Sequence, residues 1–227
     1  MTPSLRAEIC NKISDADTKN FCLGMLTKNL EYCDKITTNE NKRQMCYSNI
    51  AIDMQNPSVC YKINEPGAFQ NCFALASRNV SQCLLDPPYG FNPIKNTCIS
   101  NFAALVNDDS ICVYSQYKEV CFLRVAISNN NAALCESAGP GRDSCYFEIA
   151  SSTSDASLCK NLSQDVFQQA CTAIIFQKLS DCPADLKHIC LMKIILKTGD
   201  YSQCESIQDI TRDECLVAVA LAGILKI

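Results

Sequence analysis

Residues 142–159 read R-D-S-C-Y-F-E-I-A-S-S-T-S-D-A-S-L-C, from Arg142 to Cys159. Cys145, Tyr146, Ile149 and Ala150 fall on one helical face, because positions one, four and five apart stack on the same side of a helix. Asp155 stands four residues before Cys159 and is an N-cap signal: its side-chain oxygen can accept an otherwise unpaired backbone N–H. The stretch is the joint between two helices, and variants of it run through the whole chain.

The 18 cysteines lie at 10, 22, 33, 46, 60, 72, 83, 98, 112, 121, 135, 145, 159, 171, 182, 190, 204 and 215. Taken alternately as A and B members, they make nine pairs. The A-to-B spacings are irregular, from 8 to 15, whereas the B-to-A spacings are only 11 or 14. An irregular spacing marks a loop of free length. A spacing that changes only by three marks rigid structure gaining or losing about one helical turn.

Alignment on the cysteines exposes the unit. Four residues before A sits Asn29, Asn56, Asn79, Asp108, Asn131, Asp155 or Asp200, the N-cap position. Pro57 follows Asn56 at the first helical position, where a missing N–H is harmless. The residue after B is Leu23, Tyr47, Phe73, Ile99, Phe122, Tyr146, Leu191 or Leu216 in eight units. Each unit therefore reads as a short helix A of about eight residues, a loop and a longer helix B. Neither is stable alone in water, so neighbouring hairpins must stack. The expected fold is all-α: an α-solenoid of about nine short disulfide-stapled hairpins. It forms a single repeat domain over 1–227, with units at about 5–28, 29–55, 56–78, 79–107, 108–130, 131–154, 155–178, 179–199 and 200–227.

Cysteine at this density implies an oxidising compartment. No C-x-x-C knuckle is present and His188 is the one histidine, so metal, redox and haem use are disfavoured and no cofactor is implied. Connectivity is weighed by geometry. Pairing Cys159 with Cys171 around the turn near Gln164 leaves a mismatch of about 6 Å, against about 9 Å for Cys145 with Cys159, at 1.5 Å per residue. Pairing within each unit is therefore favoured over pairing across the joint: Cys10–Cys22, Cys33–Cys46, Cys60–Cys72, Cys83–Cys98, Cys112–Cys121, Cys135–Cys145, Cys159–Cys171, Cys182–Cys190 and Cys204–Cys215. Sequence alone does not fix that choice.

Net charge is −4 with no basic block, which argues against nucleic acid and an anionic membrane surface as partners. Met1 to Arg6 are followed by no apolar h-region, and Met1 is read as the start of a mature form whose leader has been removed. A cation precedes B by three residues in seven units (Lys19, Arg43, Lys95, Lys118, Arg142, Lys187, Arg212). It is read as lying over its hairpin and pairing with carboxylates such as Asp213 or Glu214, with a basic stripe facing an acidic partner as the other reading. His188 has no nucleophile placed beside it by a recognisable motif, so no enzyme is expected. Asp15, Asp17, Asp108 and Asp109 lack the glycine and distal glutamate of a calcium loop, and no small-molecule substrate is evident. Asn79 and Asn161 match glycosylation acceptors, a weak pattern.

Two features bear on partners. The loop from Leu84 to Thr97 holds three prolines with Tyr89 and Phe91, which either project as anchors or pack back over the hairpin. Residues Leu216 to Ile227 are apolar almost all round and too short to span a bilayer. This last helix is either wrapped by the unit before it or docks on another molecule through Leu221, Ile224, Leu225 and Ile227, including a second copy head to tail.

The pattern D-x-x-x-C-x-x-I with R-x-x-C-Y-x-x-I-A, in which Asp155, Cys159, Arg142, Cys145, Tyr146, Ile149 and Ala150 take part, resembles secreted cysteine-rich helical-repeat proteins of archaea. One disulfide per helical hairpin is also similar to the Sel1-like repeats of secreted bacterial proteins. The resemblance implies an extracellular or cell-surface setting and supplies no activity. Two functions stay open: a non-enzymatic binding or adhesion scaffold for proteins, or a structural subunit that self-assembles into a filament or surface layer.

Overall fold

A computed structural model describes residues 1–85, 93–206 and 211–222. The described residues contain helices and no strand. The α-helices are α1 (Pro3–Asn11), α2 (Ala16–Thr27), α3 (Leu30–Asp34), α4 (Glu40–Asp53), α5 (Pro66–Ala76), α6 (Ser81–Leu84), α7 (Pro93–Val106), α8 (Lys118–Ser128), α9 (Arg142–Thr153), α10 (Asp165–Ile175), α11 (Lys187–Thr198) and α12 (Arg212–Leu221). Each A cysteine is joined to the B cysteine that follows it, with Cα atoms 5.4 to 6.4 Å apart. The disulfide thus ties the short helix of a hairpin to its long one.

Helix A is shorter and tighter than the spacing suggests. Only α1, α3 and α6 are α-helical; the other six units use 3-10 turns, such as Pro57–Lys62, Asp109–Tyr114 and Leu158–Asn161. The reason is local. In six of the seven units with Asn or Asp at the cap, its oxygen accepts the N–H two residues on, and Asn131 does not. In five of them Ser58, Ser81, Ser110, Ser157 or Ser202 adds its hydroxyl. Such Asx turns compete with a full α-helical turn, and 3-10 geometry is common in short pieces. The segment then ends by burying Ile13, Ile36, Ile63, Ala138 or Leu162 three residues beyond the cysteine, each N–H bonded back to that cysteine's carbonyl.

The constant joint has an equally local cause. Lys28, Gln55, Arg78, Asn107, Asn130, Ser154, Gln177 and Gly199 all have positive φ, and each lies five residues before an A cysteine. A left-handed residue there reverses the chain after the long helix. The following N–H, of Asn56, Asn79, Asp108, Asn131 or Lys178, bonds the carbonyl of Ala51, Ala74, Ala103, Ala126 or Ala173 at 2.9–3.0 Å. With a B-to-A spacing of 14 the acceptor is five residues after B, and with 11 it is two. The missing three residues are one turn removed from the end of the long helix.

Four residues after B, Ile50, Ala76, Phe102, Val125, Ile149, Ile175, Ile194 and Val219 are buried, forming a serial core between hairpins rather than one central mass. Gly24 sits where α2 closes on the next unit: a methyl there would lie 3.0 Å from Cys46 Sγ and 3.3 Å from Tyr32 Cβ. Ala74 and Ala173 occupy the same repeat position elsewhere. Gly24→Ala is expected to destabilise the oxidised protein by about 1–3 kcal/mol, the usual range for overpacking, read as a lower denaturant midpoint. An unchanged midpoint would show that the disulfide yields freely.

Each long helix packs on the next through the series α2, α4, α5, α7, α8, α9, α10, α11, α12, and α12 packs on α2 and α1. The solenoid therefore closes on itself. This corrects the expectation for the last helix. It is covered by the first unit of the same chain, and Leu221 is 2% exposed, so it is core rather than a free contact. Ile224, Leu225 and Ile227 lie outside the described residues.

Candidate functional site: the outer edge of the hairpins

At the outer edge of units two, three and six, the exposed residue after the A cysteine meets the residue after the B cysteine. In the second unit they are Asp34 and Tyr47: the Tyr47 hydroxyl and Lys62 Nζ, at 3.0 Å, both donate to Asp34. In the sixth they are Glu136 and Tyr146. The Tyr146 hydroxyl donates at 2.7 Å and Arg142 Nε at 3.1 Å to Glu136, and the guanidinium lies 5.0 Å from the Tyr146 ring. Tyr47 and then Lys62 hold the Asp34 carboxyl below its usual range. Arg142 and then Tyr146 do the same to Glu136. Burial, then Asp34, pushes the Tyr47 phenol up to about 12. Arg212 likewise pairs with Glu205 at 3.4 Å. At these positions the edge is internally satisfied and charged.

Units three to five, in succession, have an aromatic or aliphatic residue in place of that carboxylate. The equivalent pairs are Tyr61 with Phe73, Leu84 with Ile99, and Val113 with Phe122. Tyr61 is 71% exposed and its ring centroid lies 5.5 Å from Phe69 and 6.2 Å from Phe73. Leu85 is exposed in unit four, and Val113, Tyr114, Tyr117 and Val120 are all exposed on the hairpin of unit five. These hairpins are consecutive and packed on one another through α5, α7 and α8. An apolar edge on three stapled neighbours departs from the scattered exposure of single apolar residues that is normal on a surface. Tyr89 and Phe91 belong to unit four by sequence and lie outside the described residues.

Hollows lie on units six to eight, two of them against α9. One, of about 250 Å³, is lined by Phe147, Leu162, Phe167, Leu186 and Ile189, with Asp143 at its side. The other, of about 350 Å³, is lined by Ser151, Ser152, Lys193, Leu196 and Lys197. It lies between α9 and α11, on either side of α10, one of the helices shortened by a turn. The chain answers its own charges there. Lys193 pairs with Glu148 across the gap, and Lys197 Nζ lies 3.5 Å from the Ile175 carbonyl at the end of α10, its amine lowered by burial.

The remaining polar candidates also have backbone tasks. Asp15 caps α2, and Asp17 accepts the N–H groups of Thr37, Thr38 and Asn39 in the next unit. His188 is exposed in the first turn of α11. Two repeat positions carry information beyond the caps and cations: the outer-edge pair, and the residue two before B, polar in all nine units (Asn20, Gln44, Gln70, Asn96, Glu119, Asp143, Gln169, His188, Asp213). Asn96 accepts the Gln116 N–H at 2.8 Å and Asp143 the Ser163 N–H at 2.9 Å, each in the next hairpin. Alignment in register was the signal for both. Compared with protein-family models, curated proteins and solved structures, the chain finds no match in any of the three.

Proposed function

We propose that the chain is a non-enzymatic extracellular or cell-surface scaffold that binds a protein partner through the outer edge of units three to five. The observation that carries this reading is the run of Tyr61, Leu85, Val113, Tyr114, Tyr117 and Val120, exposed on three consecutive hairpins, with Tyr61 and Val113 at the repeat position where units two, six and nine place a paired carboxylate. Tyrosines on rigid backbone are efficient contact anchors, because little side-chain entropy is lost when they bind. All eighteen cysteines are in disulfides with none free, which suits an oxidising compartment and leaves no thiol for chemistry. The likeness to secreted archaeal repeat proteins points the same way. The filament reading rested on an uncovered last helix, and α12 is covered by α1 and α2.

A photo-crosslinking side chain placed at Tyr114 tests the proposal in the native extracellular setting, with Ser202, on the exposed face of unit nine, as the control site. A discrete protein adduct from position 114 and none from 202 is the expected result. Equal labelling from both sites, or none from 114, would overturn it.

A further inference from the structure

The contact between the ninth and first units repeats the side-chain bonds of the joint between units six and seven, although no peptide links the two. In the joint between units six and seven, Arg142 pairs with Glu136 and donates to the Asn161 carbonyl at 2.7 Å, two residues after Cys159. At the closure Arg212 pairs with Glu205 and donates to the Lys12 carbonyl at 3.1 Å, two residues after Cys10. Asp143 accepts the N–H of Ser163, four residues after Cys159; Asp213 accepts that of Ser14, four after Cys10, at 3.0 Å, and that of Asp15 at 2.7 Å.

Arg6 completes the correspondence. In three of the joints with a B-to-A spacing of 14, the backbone N–H four residues before an A cysteine bonds the carbonyl five residues after the preceding B cysteine, as Asp108 does to Ala103. At the closure those repeat positions are Arg6 and Ala220. The Arg6 guanidinium bonds the Ala220 carbonyl at 2.6 Å and the Ala222 carbonyl at 2.8 Å. A side-chain cation at the helix end thus does the work of the absent turn. That explains why this position departs from the Asn or Asp found in seven other units.

We infer that the first unit carries a built receptor for the end of a ninth unit, and that when the circuit opens the partner that fits is the ninth unit of a second copy. The two faces are different and complementary, so the contact is heterologous and joins chains head to tail. Within one chain the same contact is favoured by the high local concentration of its ends, on the order of millimolar for linked sites. The circuit is therefore the resting form at ordinary concentration, and exchange between copies needs opening at high concentration. Opening breaks no disulfide, because every disulfide lies inside one unit.

Two variants separate the faces. Arg6→Glu damages the receptor and leaves the ninth unit intact; Asp213→Lys damages the ninth unit and leaves the receptor intact. Each alone is expected to run as a single chain. Mixed at about 1 mM, where association no longer loses to the linked contact, they are expected to form a one-to-one dimer by light scattering and native mass spectrometry. No mixed dimer, with the helical signal of both variants preserved, would overturn the inference. Should either variant lose that signal, wild-type protein opened in moderate urea with disulfides intact and returned to buffer decides it. A dimer fraction rising with protein concentration supports exchange, and monomer at every concentration overturns it.

Discussion

Reduction of the disulfides is expected to unfold this protein in denaturant concentrations that the oxidised form withstands. Cysteines 8 to 15 residues apart are joined, and closing loops of that size is worth about 2.5–3 kcal/mol each in the chain-entropy estimate. Nine such closures sum to about 25 kcal/mol, more than the whole net stability of an ordinary domain, about 5–15 kcal/mol. Nothing else here replaces that term. Most short helices run only three to six residues, far below the length at which a helix persists alone, and the core is a series of thin contacts between neighbours. Urea titrations followed by circular dichroism with and without a thiol reductant give the test. A reduced chain with an unchanged midpoint would show that packing alone holds the hairpins. Thiol titration of the denatured, unreduced protein should find no free sulfhydryl.

The repeat was legible because three independent signals share one register: the Asx cap, the cysteine and the apolar position four beyond B. The two B-to-A spacings of 11 and 14 already told which long helices lose a turn. Closure of the circuit was not legible from the last helix itself. A run such as Leu216 to Leu221 looks the same whether its cover comes from the preceding unit, another molecule or the first unit. The signal lay at the other end, where Arg6 replaces the Asx cap, and its meaning depends on Ala220 being brought beside it by eight intervening joints. The same holds for the outer edge. Tyr61 and Val113 differ from Asp34 and Glu136 only when the units are laid in register, and burial decides that they face solvent.

The closed circuit also dictates where acid acts. Asp17 accepts three backbone N–H groups at 2.8–3.0 Å and the Thr38 hydroxyl at 2.6 Å, and these hold its carboxyl down at about 2, with the Thr38 hydroxyl the largest influence. Asp143, bonded chiefly by Ser163 of the next unit, and Asp34, bonded by Tyr47 and by Lys62 of the next unit, are lowered as well. A carboxyl whose folded value lies below its unfolded one adds stability that is complete above the unfolded value, 3.8 for aspartate, and is lost as pH falls through the folded value. These groups tie one unit to the next, whereas the disulfides inside each unit do not titrate. Lowering the pH from about 5 to about 2 should therefore loosen joints before hairpins: near-ultraviolet dichroism and compactness decline first, while helical signal persists in the stapled units, a pattern typical of acid states. Asp17→Asn should lower stability at neutral pH and flatten the acid dependence, because an amide keeps an acceptor but carries no charge to lose. Unchanged compactness of the wild type down to pH 2 would show that these carboxylates do not hold the joints, leaving the apolar contacts of Ile50, Ile149 and Val219 to do so alone.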